Sequence, residues 1–158
     1  MRIGIATDHG GFTLKQEFVK LLRADGHEVV DFGAYAFDAN DDYPDFVVPL
    51  AHAVASGQVE RGIAICGSGV GASVCANKIP GIRAALIQDH YSAQQGVEHD
   101  HMNIICIGGR TVGPAVARDL IEGFLAAELS REKRHLRRLA KVTSLEQSRR
   151  SAAGDQAA

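Results

Sequence analysis

The chain has 158 residues and a mass of 16.8 kDa, the length of one ordinary domain and too short for two. With 46% hydrophobic and 23% charged residues it can bury a core without crosslinks, which excludes a disordered chain or a disulfide scaffold. Seventeen Lys and Arg against nineteen Asp and Glu leave a formal charge of -2, so no global field favours nucleic acid or an anionic membrane, and any anion site must be local.

The first segment, Arg2 to Ala6, reads as a strand and runs into a polar, glycine-rich loop, Thr7 to Gly11. Leu14, Phe18, Leu21 and Leu22 then recur three to four residues apart and predict a helix, which Asp25 and Gly26 stop. His27 to Phe32 reads as a second strand. An acidic loop with Asp38, Asp41 and Asp42 follows, read as solvated, and then Tyr43, Pro44 and a helix from Phe46 to Ala55. Gly62 to Cys66 is a continuous apolar run followed at once by Gly67-Ser-Gly-Val-Gly71 and a helix through Asn77. Ile82 to Ile87 is the fourth strand, Tyr91 to Glu98 a helix, and Asn103 to Ile107 the fifth strand. Beyond Gly109 and Arg110, helices are expected from about Val112 to Ala127 and from about Ser130 to Gln147.

Apolar strands that alternate with helices imply a parallel sheet covered on both faces, with right-handed crossovers. The expected fold is therefore α/β, a three-layer, doubly wound, Rossmann-like sheet of five parallel strands with an extra C-terminal helix. Residues 1–147 are expected to form a single domain and 148–158 a disordered tail, since the Ala-rich end shows no periodicity. Residues 128–150 hold eight Lys or Arg against three acids, a charge of +5 that leaves -7 on the rest. No signal peptide pattern follows Met1, and no run reaches the roughly 18 apolar residues of a membrane helix, so the chain reads as mature and cytoplasmic.

In such sheets ligands sit at the carboxyl ends of the strands, and the candidate loops all lie there. Glycines directly after the third strand let backbone N–H groups converge, so Gly67, Gly69, Val70 and Gly71 would hold an anion or a developing oxyanion. Cys66, at the same helix start, suits a base or a nucleophile. A cysteine phosphatase would need Arg six residues later, where this chain has Ala72. Cys75 and Cys106 fall inside apolar patterns and read as core. With three cysteines there is no disulfide framework, and reduced thiols are expected. In Glu98-His-Asp-His101, adjacent residues at a helix end rarely converge on one ion, so His99 reads as an acid/base group and no metal is expected. Arg134 and Arg138, at i and i+4, are either a pair of guanidinium forks for a phosphate or a solvated basic face.

Taken together, Asp8-His-Gly-Gly11, Asp42-Tyr-Pro-Asp45, Ile65-Cys-Gly-Ser-Gly-Val-Gly71, Ala76-Asn-Lys78, Gly81-Ile-Arg-Ala84, Glu98-His99, Gly108-Gly-Arg110 and Arg134-His135 resemble the ribose-5-phosphate isomerase B family. That family also contains galactose-6-phosphate and allose-6-phosphate isomerases, and the match runs in order from about residue 1 to 147. The resemblance implies interconversion of ribose 5-phosphate and ribulose 5-phosphate through a cis-enediolate, without metal or cofactor. It makes Cys66 the base that moves the proton between C1 and C2. Ser68, where many relatives have Thr, would shuttle protons between the two oxygens, and the Gly67–Gly71 amides would stabilise the enediolate. His99, assisted by Asp8, would open the sugar ring. His9, Arg110, Arg134, His135 and Arg138 match phosphate-holding positions, and Tyr43 and Asn77 match pocket residues. Ala72 occupies the place of the glutamate base of another branch, which puts this chain in the cysteine branch.

The resemblance further implies a homodimer or tetramer whose sites are shared across the interface, with the basic C-terminal helix reaching the neighbour's site. Relatives read His-Asn-Asp-Ala-Asn where this chain reads His99-Asp-His-Met-Asn103. An amide donates to a sugar oxygen, whereas an ionised carboxylate only accepts, so Asp100 points to a shifted substrate preference. Alternatives are galactose 6-phosphate, allose 6-phosphate, or a four-carbon or deoxy sugar. A non-catalytic nucleotide-binding module would need the glycine loop but not Cys66.

Overall fold

Apolar runs uninterrupted by charge are stable where both faces of a strand are covered, and here the strands pair edge to edge in one sheet with helices packed on each face. The computed structural model describes the backbone of residues 1–155 and the side chains of residues 1–146. Strands β1 (Arg2–Thr7), β2 (Glu28–Asp31), β3 (Arg61–Cys66), β4 (Ala84–Leu86) and β5 (Ile104–Gly108) form one parallel sheet in the order β2-β1-β3-β5-β4. The helices are α1 (Phe12–Ala24), α2 (Tyr43–Ala55), α3 (Val70–Ala76), α4 (His90–Asp100), α5 (Pro114–Ala126) and α6 (Lys133–Asp155).

The period of two along each strand sorts the side chains by size. Ile3, Ile5, Ile63, Ile65, Ile105 and Ile107 point to one face and pack against Leu14, Phe18 and Leu22 of α1, Val97 of α4, and Leu120, Ile121 and Phe124 of α5. Ala6, Ala64, Cys66 and Cys106 line the other face, where the smaller side chains admit α2 and α3 through Val47, Leu50, Ala51 and Ala72. This is the three-layer arrangement expected from the alternation of elements.

One inward position of α1 is charged. Lys15 is fully buried, and its Nζ lies 2.8 Å from both oxygens of Asp31 and from the carbonyl of Ala34. The ion pair joins α1 to the end of β2 and to the loop beyond it.

Several boundaries differ from the expected ones for local reasons. His9–Gly11 is a short 3-10 turn, because the Asp8 carboxylate accepts the Gly10 N–H at 2.8 Å. Helix α2 starts at Tyr43 because Pro44 is tolerated in a first turn, where its missing N–H costs nothing. For the same reason α5 starts at Pro114. Strand β4 is shorter than Ile82–Ile87, since the Arg83 N–H is taken by the Asn103 side chain at 2.8 Å and not by a ladder partner. Helix α6 passes its expected end at Gln147 and continues through Asp155, because Ala favours helix even where no amphipathic period marks it. Residues 156–158 of the expected tail lie outside the described residues. Among the described residues no helix is long and apolar enough to cross a membrane.

The sheet order puts β2 and β3 on opposite sides of β1. Connections therefore leave β1 and β3 in opposite directions, and a crevice opens between their carboxyl ends.

Candidate active site

That crevice is built by three loops tied backbone to backbone. The Gly109 N–H donates to the Cys66 carbonyl at 2.8 Å, and the Arg110 N–H to the Gly67 carbonyl at 3.0 Å. A Cβ at Gly10 would stand 2.6 Å from the Gly67 nitrogen, so the loops after β1 and β3 touch only because position 10 has no side chain. Gly69 holds φ at +81°, a left-handed conformation that turns the chain into α3 and aims its N–H at sulfur. The Cys66 Sγ accepts that N–H at 3.0 Å. Helix α3 has only seven residues, so this direct donor, more than a long helix dipole, is what the thiol meets.

A cavity of about 480 Å³ opens over the sulfur. The loop after β1 contributes Asp8, His9 and Gly10, the loop after β3 Gly67, Ser68 and Gly71, the loop after β5 Arg110 and Thr111, and α2 Tyr43. Cys66 is 4% exposed at the cavity floor. Tyr43 is placed by its ring lying against Gly71, where a Cβ would come within 2.8 Å of it. His9 is held by Asp41, whose Oδ1 lies 2.7 Å from His9 Nδ1 and accepts the His9 backbone N–H at 2.9 Å. Asp8, His9 and Asp41 bring one ligand atom each within 4.8 Å of one another, the one such grouping found among the described residues, with the His9–Asp41 contact already made.

The other two thiols differ in setting. Burial pushes the Cys106 thiol far above its ordinary value, and burial raises Cys75 as well. Both stay protonated at neutral pH and pack in the α2/α3 layer, as their apolar patterns suggest.

The predicted site residues His99, Asn77, Asp100, Arg134, His135 and Arg138 are not among those that line this cavity. His99, near the end of α4, has its Nδ1 2.9 Å from the Gln95 amide and its ring 3.9 Å from that of His135, tilted by 34°. His135 is 2% exposed, its Nε2 accepts from Arg134 Nε at 3.1 Å, and its buried Nδ1 meets no partner among the described residues. Burial first, then the nearby His99 and Arg134, hold its pKa below the usual imidazole value. Asn77 spends its carboxamide on the backbone, donating to the carbonyls of Ser73 at 2.9 Å and Ala84 at 2.7 Å and accepting the Ala84 N–H at 3.0 Å. Asn77, Asp100 and Arg138 line a separate cavity of about 370 Å³ beside Arg83. His101 does not join His99: its Nδ1 faces the Arg83 guanidinium at 3.0 Å, and partial burial and that cation lower its pKa.

Three residues at the site escaped the sequence reading. Thr111 directly follows Gly108-Gly-Arg110 and was within reach of a longer loop. Asp41 is hidden in a run of acids whose members look alike, and Gln95 is one of two adjacent glutamines on α4.

The family model described as Ribose/Galactose Isomerase matches residues 3–142. A ribose-5-phosphate isomerase B of Escherichia coli (strain K12) is 40% identical over 148 residues, covering 94% of this chain and 98% of the relative. A solved ribose-5-phosphate isomerase B from Clostridium thermocellum superposes with a TM-score of 0.90 at 44% identity, covering 94% of this chain and 99% of that one. The Mycoplasma genitalium enzyme, solved with bound ribulose-5-phosphate, gives a TM-score of 0.88 at 39% identity, with 92% and 96% covered. With its model matched along most of the length and its fold shared with these enzymes, the chain belongs to the ribose/galactose isomerase family.

Proposed function

We propose that this aldose-ketose isomerase interconverts ribose 5-phosphate and ribulose 5-phosphate, with Cys66 as the base. The observation that carries the reading is the Cys66 sulfur at the cavity floor, accepting the Gly69 N–H at 3.0 Å beneath the glycine loop. That N–H fixes the sulfur beneath the loop, in reach of a substrate carbon in the cavity. In the open-chain aldose the thiolate removes the proton on C2. The enediolate oxygens then face the Gly67–Gly71 amides, and the thiol returns the proton to C1. Ser68, exposed at the rim, exchanges protons between O1 and O2. His9 and Arg110 supply positive charge and donors for the phosphate at the other side of the cavity.

The residues outside that lining complete the site from a neighbouring chain in this proposal. His99, Arg134 and Arg138 are not in the lining of the Cys66 cavity within one chain, and the outward side of α3 offers Val70 and Val74, 52% and 56% exposed, as apolar contact surface. A partner that covers them would bring its His99 to the ring oxygen beside Asp8 and its arginines to the phosphate.

A coupled assay of ribose 5-phosphate tests the activity. Cys66→Ala is expected to lower kcat by at least about 10³-fold with the fold intact by circular dichroism, since loss of the base removes the proton-transfer step. Iodoacetamide should inactivate the wild type, with protection by ribose 5-phosphate. Retention of turnover in Cys66→Ala would remove Cys66 from the mechanism.

A further inference from the structure

The acidic loop before α2 contains one carboxylate that is not solvated. The Asp41 side chain is 10% exposed, and its Oδ2 is buried with no partner among the described residues. Its Oδ1 takes both the ring Nδ1 and the backbone N–H of His9, at 2.7 and 2.9 Å. Phe37, from the same loop, meets the His9 ring edge-on at 6.4 Å and braces itself on Phe12 at 6.2 Å. The imidazole is thus fixed in position and in hydrogen bonding, and Nε2 is the nitrogen left for a ligand in the cavity that His9 lines with Arg110.

A neutral imidazole has one N–H. With a carboxylate on Nδ1 that proton resides on Nδ1, and Nε2 offers a lone pair, which repels an anion's oxygen. Only the imidazolium donates from both nitrogens. The partner that suits that form is a carboxylate held against Nδ1, and the largely buried Asp41 is in that place. The groups that face His9 are Asp8 at the end of β1, Asp41 behind it, Arg110 across the cavity, Tyr43 from α2 and Cys66 from β3.

We propose that Asp41 is a positioning residue for the anionic end of the substrate: by gripping Nδ1 it orients His9 and makes the imidazolium, with Nε2–H as donor, the form that receives the phosphate. Binding of the anion is then coupled to uptake of a proton by His9. The inference rests on the reading that the phosphate lies beside His9 and Arg110, and the two can fail separately.

The test uses the full-length protein with sulfate as a competitive inhibitor, because sulfate stays a dianion from pH 5 to 9. Asp41→Asn, which keeps an acceptor but not the charge, is expected to raise the sulfate Ki and the KM for ribose 5-phosphate about tenfold at pH 7.5, with kcat changed less than about twofold, as loss of one charge-assisted contact implies. His9→Gln should show a similar loss, and the double variant no more than either alone. In the wild type sulfate should bind more weakly as pH rises from 6 to 8.5, and in Asp41→Asn that weakening should begin at lower pH. If His9→Gln weakens sulfate while Asp41→Asn leaves Ki, KM and the pH profile within twofold of wild type, the role of Asp41 is overturned. If His9→Gln itself leaves sulfate binding unchanged, the placement of the phosphate is what fails. Should Asp41→Asn not fold, nitrogen-15 spectra of the wild-type His9 ring decide: addition of sulfate must protonate both ring nitrogens, and a ring that stays neutral in either tautomer contradicts the proposal.

Discussion

At the residue scale, the two buried or stacked histidines of the α4/α6 corner carry a pH consequence. The folded pKa of His135 lies below its ordinary value, chiefly through burial, so the unfolded chain binds more protons once the pH drops below about 6.5. Stability contributed by the neutral ring is therefore present above that pH and declines as the pH falls from there toward the folded pKa. Thermal melts should show a lower Tm at pH 5.5 than at 7.5, and the gap should narrow in His135→Gln. An unchanged gap would contradict the assignment. Asp100 makes a second prediction at this scale. Its carboxylate lines a cavity with Arg138 and Asn77, where relatives by resemblance have an amide. Asp100→Asn is expected to change the ratio of kcat/KM between ribose 5-phosphate and other aldose phosphates, and an equal effect on all of them would remove it as a specificity determinant.

At the scale of elements, Lys15 and Asp31 join α1 to the end of β2. Breaking a buried pair leaves an uncompensated charge, so Lys15→Met is expected to cost about 3 kcal/mol in urea unfolding, and Asp31→Asn added to it should recover part of that loss. The layers themselves were legible beforehand because they depend on periodicity: Leu14, Phe18 and Leu22 at helical spacing, and five apolar runs too short for helices. The pair was not legible, since a lysine four residues before Val19 looks like any surface lysine until the fold closes over it. The site divides in the same way. Cys66 and the loop Gly67–Gly71 stood out because a glycine cluster directly after a buried strand has few other uses. Asp41 did not, because its role depends on where a loop folds back, and loop paths leave little trace in local composition. Nor did spacing show that His99 is missing from the lining of the Cys66 cavity, for sequence order carries no information on which strand end faces which helix.

At the scale of the whole molecule, the proposed sharing of the site has a direct test. Cys66→Ala and His99→Asn, each inactive alone, should regain activity when unfolded together and refolded, because a mixed dimer holds one intact site. Random pairing puts the yield near one quarter of wild type. Two inactive proteins that stay inactive after mixing would place both residues in a single chain's site. The near-neutral total of -2 is likewise a balance, with +5 carried by residues 128–150, so the basic end of one chain and the acidic body of another attract. The locked floor of the crevice bears on how such an enzyme is to be re-engineered. Gly10, Gly69 and Gly109 stand against neighbouring atoms with no room for a Cβ, so a mutant library directed at new sugars gains nothing there. Tyr43 and Thr111, on the walls, are the positions to randomise.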